Sequence, residues 1–340
     1  MLLVIFGAGA SSDSVDPQVA NAPFTQAEYK PPLANEMFLD REVYRQFVDM
    51  YPQVRGVLPS IRLRVARGEG VEAVLDDLFS QAHPDRPGQL LALRLYLRDV
   101  IATVGAKWNA LANGLTNYSR LIEMLRATGE SFAVVTFNYD LLFEEALRDR
   151  GITFDTMSSY IERPELSYLK VHGSVDWARV LVRSSHLLVN AKQDLSRAIF
   201  ERPDSVRFQD DAFEKFTTMF QPDGHHQFPA IAVPLQAKTI FECPASHLSA
   251  LDKLLPSVDR VLIVGWGAND QHFLERCRPI LRPRRTLIVC GSRTWGAGTN
   301  LNWDRAIPGS NPSVFDGGFT DLFDPSWRDP DGLTWIGLHA

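Results

Sequence analysis

Five short stretches hold the residues with chemistry to offer: GAGASS at 7–12, TFNYD at 136–140, VHGS at 171–174, GWGAND at 265–270 and CGS at 290–292. Each follows an apolar run, which makes it the turn at the carboxyl end of a strand, where ligands collect in open α/β sheets. Gly7 and Gly9 allow the backbone to approach a pyrophosphate and to aim N–H groups at it, with Ala8, Ala10 and Ser11 completing the turn. A turn that serves only tight packing fits the same glycines equally well. A dinucleotide-dependent hydride transferase needs a third glycine, an immediate helix and an acidic residue about 20 positions on. Here Ser12 takes the third place and Pro17, Pro23, Pro31 and Pro32 follow, so hydride transfer is disfavoured.

The second stretch places Phe137, Asn138 and Asp140 where a buried strand gives way to a helix. Asp140 suits a helix cap as well as it suits a ligand contact, whereas Asn138 reads as functional. His172, just past a strand, is a candidate general base, the role histidine fills near neutral pH. Of Asn269 and Asp270, one is expected to cap the next helix and the other to reach a ribose hydroxyl. Gly265 supplies the turn before them, and Gly291 with Ser292 suits a small-residue rim around an adenosine.

The elements that must hold these turns are legible as runs rich in Val and Ile: LLVIF (2–6), FAVVTF (132–137), SYLKV (167–171), AIAV (230–233), RVLIVG (260–265) and TLIVCG (286–291). Runs apolar on both faces are what a parallel sheet covered by helices demands. The expected fold is α/β, a Rossmann-like doubly wound parallel sheet with a helical insertion. The sheet domain is expected over 1–34 and 131–293, the insertion over 35–130, and an irregular segment packed on the core over 294–340. In the insertion, Asn35 is placed to cap a helix through NEMFLDREVYRQFVDMY, and VEAVLDDLF, QLLALRLYLRDVIATV and NYSRLIEMLRA continue in helical style. Residues 12–34 and 184–229 read as irregular, the second with an amphipathic piece at DAFEKFTTMF.

With 340 residues, 45% hydrophobic and 22% charged, the composition is that of an ordinary globular protein. A net charge of -6 gives no overall attraction to nucleic acid or an anionic membrane, although RPRR at 282–285 is locally basic. Cys243, Cys277 and Cys290 share no CxxC spacing and leave one thiol unpaired, which suits a reducing cytosol and excludes a four-cysteine zinc site. His225 and His226 read as a solvated turn, and no metal is expected. No stretch reaches the roughly 18–20 apolar residues of a membrane span. A cytoplasmic, soluble protein is expected.

The five turns, in this order, resemble the sirtuin superfamily over roughly residues 2–292. GAGAS is similar to its phosphate and ribose loop, TFNYD to its T-x-N-x-D segment, HGS to its catalytic histidine turn and GWGAND to its later ribose loop. PPLANEMF, HGSVDW, GWGANDQHF and the Pro234 and Lys238 of VPLQAK are similar to bacterial sirtuin-like proteins. The deacylases' G-I-P-D-F-R segment and paired CxxC motifs are missing. The resemblance implies NAD+ as substrate, cleaved to nicotinamide and ADP-ribose in antiphage defence by NAD+ depletion. It implies that Asn138 holds the ribose and orients water, and that His172 acts as base through a ribose hydroxyl. Gly7, Gly9 and Ser11 would take the pyrophosphate, with Asp140, Gly265, Asn269 and Ser292 toward the riboses and adenine. It further implies a homo-oligomer or a complex with an activating partner protein. An NAD-dependent deacylase or ADP-ribosyltransferase and a non-catalytic NAD or ADP-ribose-binding module are the alternatives.

Overall fold

The computed structural model describes residues 1–15, 27–163, 165–182, 199–200, 202–219, 226–235 and 241–323. The described residues form two compact units, one drawn from Met1–Pro31, Gly105–Val171 and Ala245–Ala340, the other from Pro32–Val104 and His172–Pro244.

The first unit is built on a six-stranded sheet. Its strands are β1 (Leu2–Phe6), β2 (Phe132–Thr136), β3 (Leu166–Lys170), β7 (Arg260–Val264), β8 (Arg285–Val289) and β9 (Pro312–Phe315). Their order is β3-β2-β1-β7-β8-β9, and every pair is parallel. Parallel strands covered on both faces must be apolar throughout, and all five residues of LLVIF in β1 and of FAVVT in β2 are buried. Each fully buried Val, Leu, Ile or Phe contributes about 1.5–3 kcal/mol of transfer free energy. The chain runs outward from β1 to β3 on one side and from β7 to β9 on the other. The carboxyl ends of β1 and β7 therefore mark the point where the winding reverses, the crevice in which doubly wound sheets take ligands.

The second unit carries helices Glu42–Met50, Leu58–Ala66 and Val71–Ser80, the first part of helix Arg86–Ala112, and an antiparallel sheet. That sheet has the order β5-β4-β6, from β4 (Gly173–Leu181), β5 (Phe208–Lys215) and β6 (Gln227–Ile231). The helical run read at 35–130 is thus shared, with residues 105–127 lying in the first unit.

Five sequence expectations are corrected, the first being that His226, read as part of a solvated turn, is buried. The AIAV run overlaps β6 of the antiparallel sheet instead of adding a strand to the parallel one; β6 is buried along its length, so it lacks the alternation that marks a half-exposed strand. DAFEK, the first part of the piece read as amphipathic, falls in strand β5. Asn35 sits in a 3-10 turn, and its Oδ1 accepts the N–H of Val71, the first residue of helix Val71–Ser80, at 2.9 Å. It caps a helix 36 residues away, and the helix after it starts only at Glu42. In place of the irregular structure expected from residue 294 onward, helix Arg293–Ala306 leads into β9. His225 and Lys238 lie outside the described residues, as does the part of the first irregular interval at 16–26. No described helix is long and apolar enough to cross a membrane.

Candidate functional site

The turn after β1 is made of backbone packed against backbone. Gly7 N–H donates to Val264 O at 3.0 Å and Gly9 N–H to Gly265 O at 3.0 Å, which binds the GAGASS turn to the end of β7. A Cβ on Gly7 would lie 2.6 Å from Gly265 O, and one on Gly265 would lie 2.1 Å from the Ala10 nitrogen. Gly265 also has φ +63°, a left-handed conformation that glycine adopts at no steric cost. The glycines are therefore required by this contact alone, whatever they bind. Three residues on, Ala268 takes φ +52° while fully buried. An alanine in that conformation costs about 1–2 kcal/mol, a strain of the kind that collects at ligand loops.

Side chains converge beside this contact. Asn138 lies two residues past β2, its N–H held by Thr136 Oγ1 at 3.1 Å, and its Nδ2 donates to Gly7 O and to Ser11 Oγ, both at 2.9 Å. A backbone carbonyl can only accept, so the NH₂ edge must face Gly7 and the amide orientation is fixed. Asn138 Oδ1 is consequently turned away, buried and with no hydrogen-bond partner among the described residues. Tyr118, from helix Asn117–Ala127, places its hydroxyl 2.9 Å from Ser11 Oγ and 3.4 Å from Asn138 Nδ2. Burial, with the Asp140 carboxylate adding to it, holds the Tyr118 phenol well above its ordinary pKa, so it stays a neutral hydroxyl.

The remaining expected residues are placed as follows. Ala8 and Gly9 are half-buried, and Ala10 is buried with Ser11. Phe137 stacks on Trp266 at 4.5 Å and 7°, and Phe273 meets both rings edge-on. Asp140 Oδ1 accepts the N–H of Leu142 at 3.1 Å at the start of helix Leu142–Arg148. Asp270 is the cap of helix Gln271–Cys277, accepting Phe273 N–H at 2.8 Å, while the exposed Asn269 holds Asn302 Nδ2 at 2.8 Å. Ser292 caps helix Arg293–Ala306, and Gly291, at φ +81°, donates to Gly317 O at 3.0 Å. The structure thus brings Gly7, Gly9, Ser11, Asn138 and Gly265 into direct contact, and gives Asn269, Asp270, Gly291 and Ser292 local partners. His172 is buried in the second unit, two residues past β3, with its carbonyl accepting Ala232 N–H at 3.0 Å.

Sequence reasoning missed a buried ion pair under Asp140. Lys170, fully buried at the end of β3, donates to Asp140 O at 2.5 Å and to Glu144 Oε1 at 2.7 Å, and Tyr168 donates to Glu144 Oε2 at 3.0 Å. A lysine inside an apolar strand run was its available signal. Tyr118 and the Asp13 carboxylate, which accepts Thr320 Oγ1 at 2.8 Å, carried none.

Residues 133–289 match the family model described as SIR2-like domain. No curated protein matches the chain. Among solved structures, the chain is similar to one described as the crystal structure of a Sir2 homolog-NAD complex, at 12% identity with a TM-score of 0.39, covering 94% of this chain and 85% of that one.

Proposed function

We propose, from the match of residues 133–289 to the SIR2-like domain model, that the chain is sirtuin-like, binds NAD+ and hydrolyses it to nicotinamide and ADP-ribose. One observation carries the reading: Asn138 is clamped by Gly7 and Ser11 so that it presents a buried amide oxygen with no partner among the described residues, beside the crevice at β1 and β7. A buried acceptor left unpaired costs about 1–3 kcal/mol. A ribose hydroxyl or an attacking water would satisfy it, which is the donor this chemistry supplies.

In the proposed reaction the glycosidic C–N bond breaks and nicotinamide leaves with the bonding pair. Water oxygen bonds to the oxocarbenium-like anomeric carbon, and its proton passes to a base. Asn138 holds the ribose or the water, and the backbone at Gly7 and Gly9 with Ser11 holds the pyrophosphate. We assign the base to His172, which follows β3 by two residues as Asn138 follows β2. The hydrolysis runs far downhill, so a cell needs a restraint on it. An activating partner or assembly and a role in antiphage defence remain part of this proposal.

The test is nicotinamide release from NAD+ by the purified chain. Wild type is expected to turn over, Asn138→Ala to lose at least ~10²-fold, and His172→Ala ~10² to 10⁴-fold, the range typical of general acid–base assistance. Full activity in Asn138→Ala removes the reading. A melting temperature raised by NAD+ without turnover points to a binding module, and a covalently modified acceptor points to a transferase.

A further inference from the structure

We infer that Tyr118 is a positioning residue that sets the hydrogen-bond polarity of the site: its hydroxyl donates to Ser11 Oγ, leaving Ser11 a committed donor and Asn138 a committed acceptor toward the ligand. The inference rests on the reading of Asn138 as a group that engages NAD+.

The argument is proton accounting. Among the described residues the Tyr118 hydroxyl has two hydrogen-bond neighbours, Ser11 Oγ at 2.9 Å and Asn138 Nδ2 at 3.4 Å. The second is itself a donor, because its edge faces the Gly7 carbonyl. Among the described residues only Ser11 Oγ can therefore take the phenol proton of the buried Tyr118. Ser11 Oγ then accepts twice, from Tyr118 and from Asn138 at 2.9 Å, and both lone pairs are used. Its own proton is left for something outside the network. A hydroxyl that can only donate suits an anionic phosphate oxygen; an amide oxygen that can only accept suits a ribose hydroxyl. These two demands fit the two halves of one ligand, a nucleoside diphosphate with a free ribose.

The fold holds Tyr118 to this task from every side. Its ring is edge-on to Phe6 at 5.0 Å, Phe319 at 5.4 Å and Phe143 at 5.7 Å. The first turn of its helix is tied to the loop after β1, since Asn117 N–H donates to Ser14 O at 2.7 Å and Asn117 Nδ2 to Asp13 O at 2.8 Å. Without the phenol, Ser11 keeps a spare lone pair, and its proton rotates among staggered positions instead of pointing at the ligand.

The experiment is a double-mutant cycle on Tyr118→Phe and Ser11→Ala, reading kcat and KM for nicotinamide release, the NAD+ dissociation constant and the melting temperature. Tyr118→Phe keeps the ring packing, so melting within a few degrees of wild type is expected, with kcat/KM lower by about tenfold, the scale of one hydrogen bond. In the Ser11→Ala background the same change is expected to do nothing further, because Tyr118 acts through Ser11. Equal losses in both backgrounds, wild-type kinetics in Tyr118→Phe, or failure of that variant to fold would each overturn the positioning role. Should wild type bind NAD+ without turnover, the cycle is read on dissociation constants with the same expectations. A wild type that neither binds nor cleaves NAD+ sinks the functional reading itself, and the inference with it.

Discussion

The two halves of the sheet's carboxyl edge are built by opposite means. At β1 and β7 the contact is backbone on backbone, and three glycines make room for it. At β2 and β3 it is made by side chains: the Asn138, Ser11 and Tyr118 network and the Lys170–Glu144 pair beneath it. One half tolerates no added atom and the other no removed one. A site flanked by both has a fixed wall on one side and a hydrogen-bonding wall of fixed polarity on the other.

The largest effect is expected from breaking the side-chain half. Lys170→Met leaves Glu144 buried without its cation, which costs about 3–5 kcal/mol when a buried pair loses one member. Adding Glu144→Gln removes the orphaned charge while keeping a group for Tyr168 to donate to, and is expected to recover more than half the loss. Urea midpoints of the two variants decide the matter. If the double variant is no more stable than the single, Lys170 acts through its bond to Asp140 O instead.

The backbone half is sharpened by two glycines that share a left-handed conformation but not a neighbourhood. A Cβ at Gly265 would meet Ala10 N at 2.1 Å and Gly9 C at 2.4 Å, whereas one at Gly291 would meet nothing within 4 Å. Both substitutions to alanine bear a conformational cost of roughly 1–2 kcal/mol. Only Gly265→Ala adds overpacking, about 1–3 kcal/mol more. Equal melting temperatures for the two variants would mean the β1 and β7 loops part easily, and the wall is not fixed.

The same contrast explains what was legible in the sequence. Strands β1, β2, β3, β7 and β8 announce themselves because a strand buried on both faces must be a continuous apolar run. The turns after them follow from glycine and asparagine at strand ends. β9, of four residues with a proline at its start, is too short and too mixed to signal itself, and β5, FQDDAFEK, is an edge strand whose Asp210 and Asp211 are exposed. Of the site, Gly7, Ser11, Asn138 and Gly265 were readable. Tyr118 was not, because its role depends on a tertiary meeting across 107 residues with Ser11, and nothing in NYSRL sets that tyrosine apart from any core aromatic. Asn35 shows the same limit: its residue type proclaims a cap, and only the fold says which helix it caps.

The smallest effect tests which polar residues of the GWGAND turn are architecture. Asp270 accepts the Phe273 N–H at 2.8 Å, and loss of such a cap costs about 1 kcal/mol. Asp270→Ala is therefore expected to lower stability by that amount, Asp270→Asn by far less, since asparagine caps equally well, and neither to change NAD+ turnover by more than a few fold. Stability and turnover measured on both variants separate a cap from a ligand contact. A large loss of turnover in Asp270→Asn, with stability unchanged, would show that the carboxylate charge itself meets the ligand, and the hydrogen-bonding wall would then extend past β7 into the half now described as backbone alone.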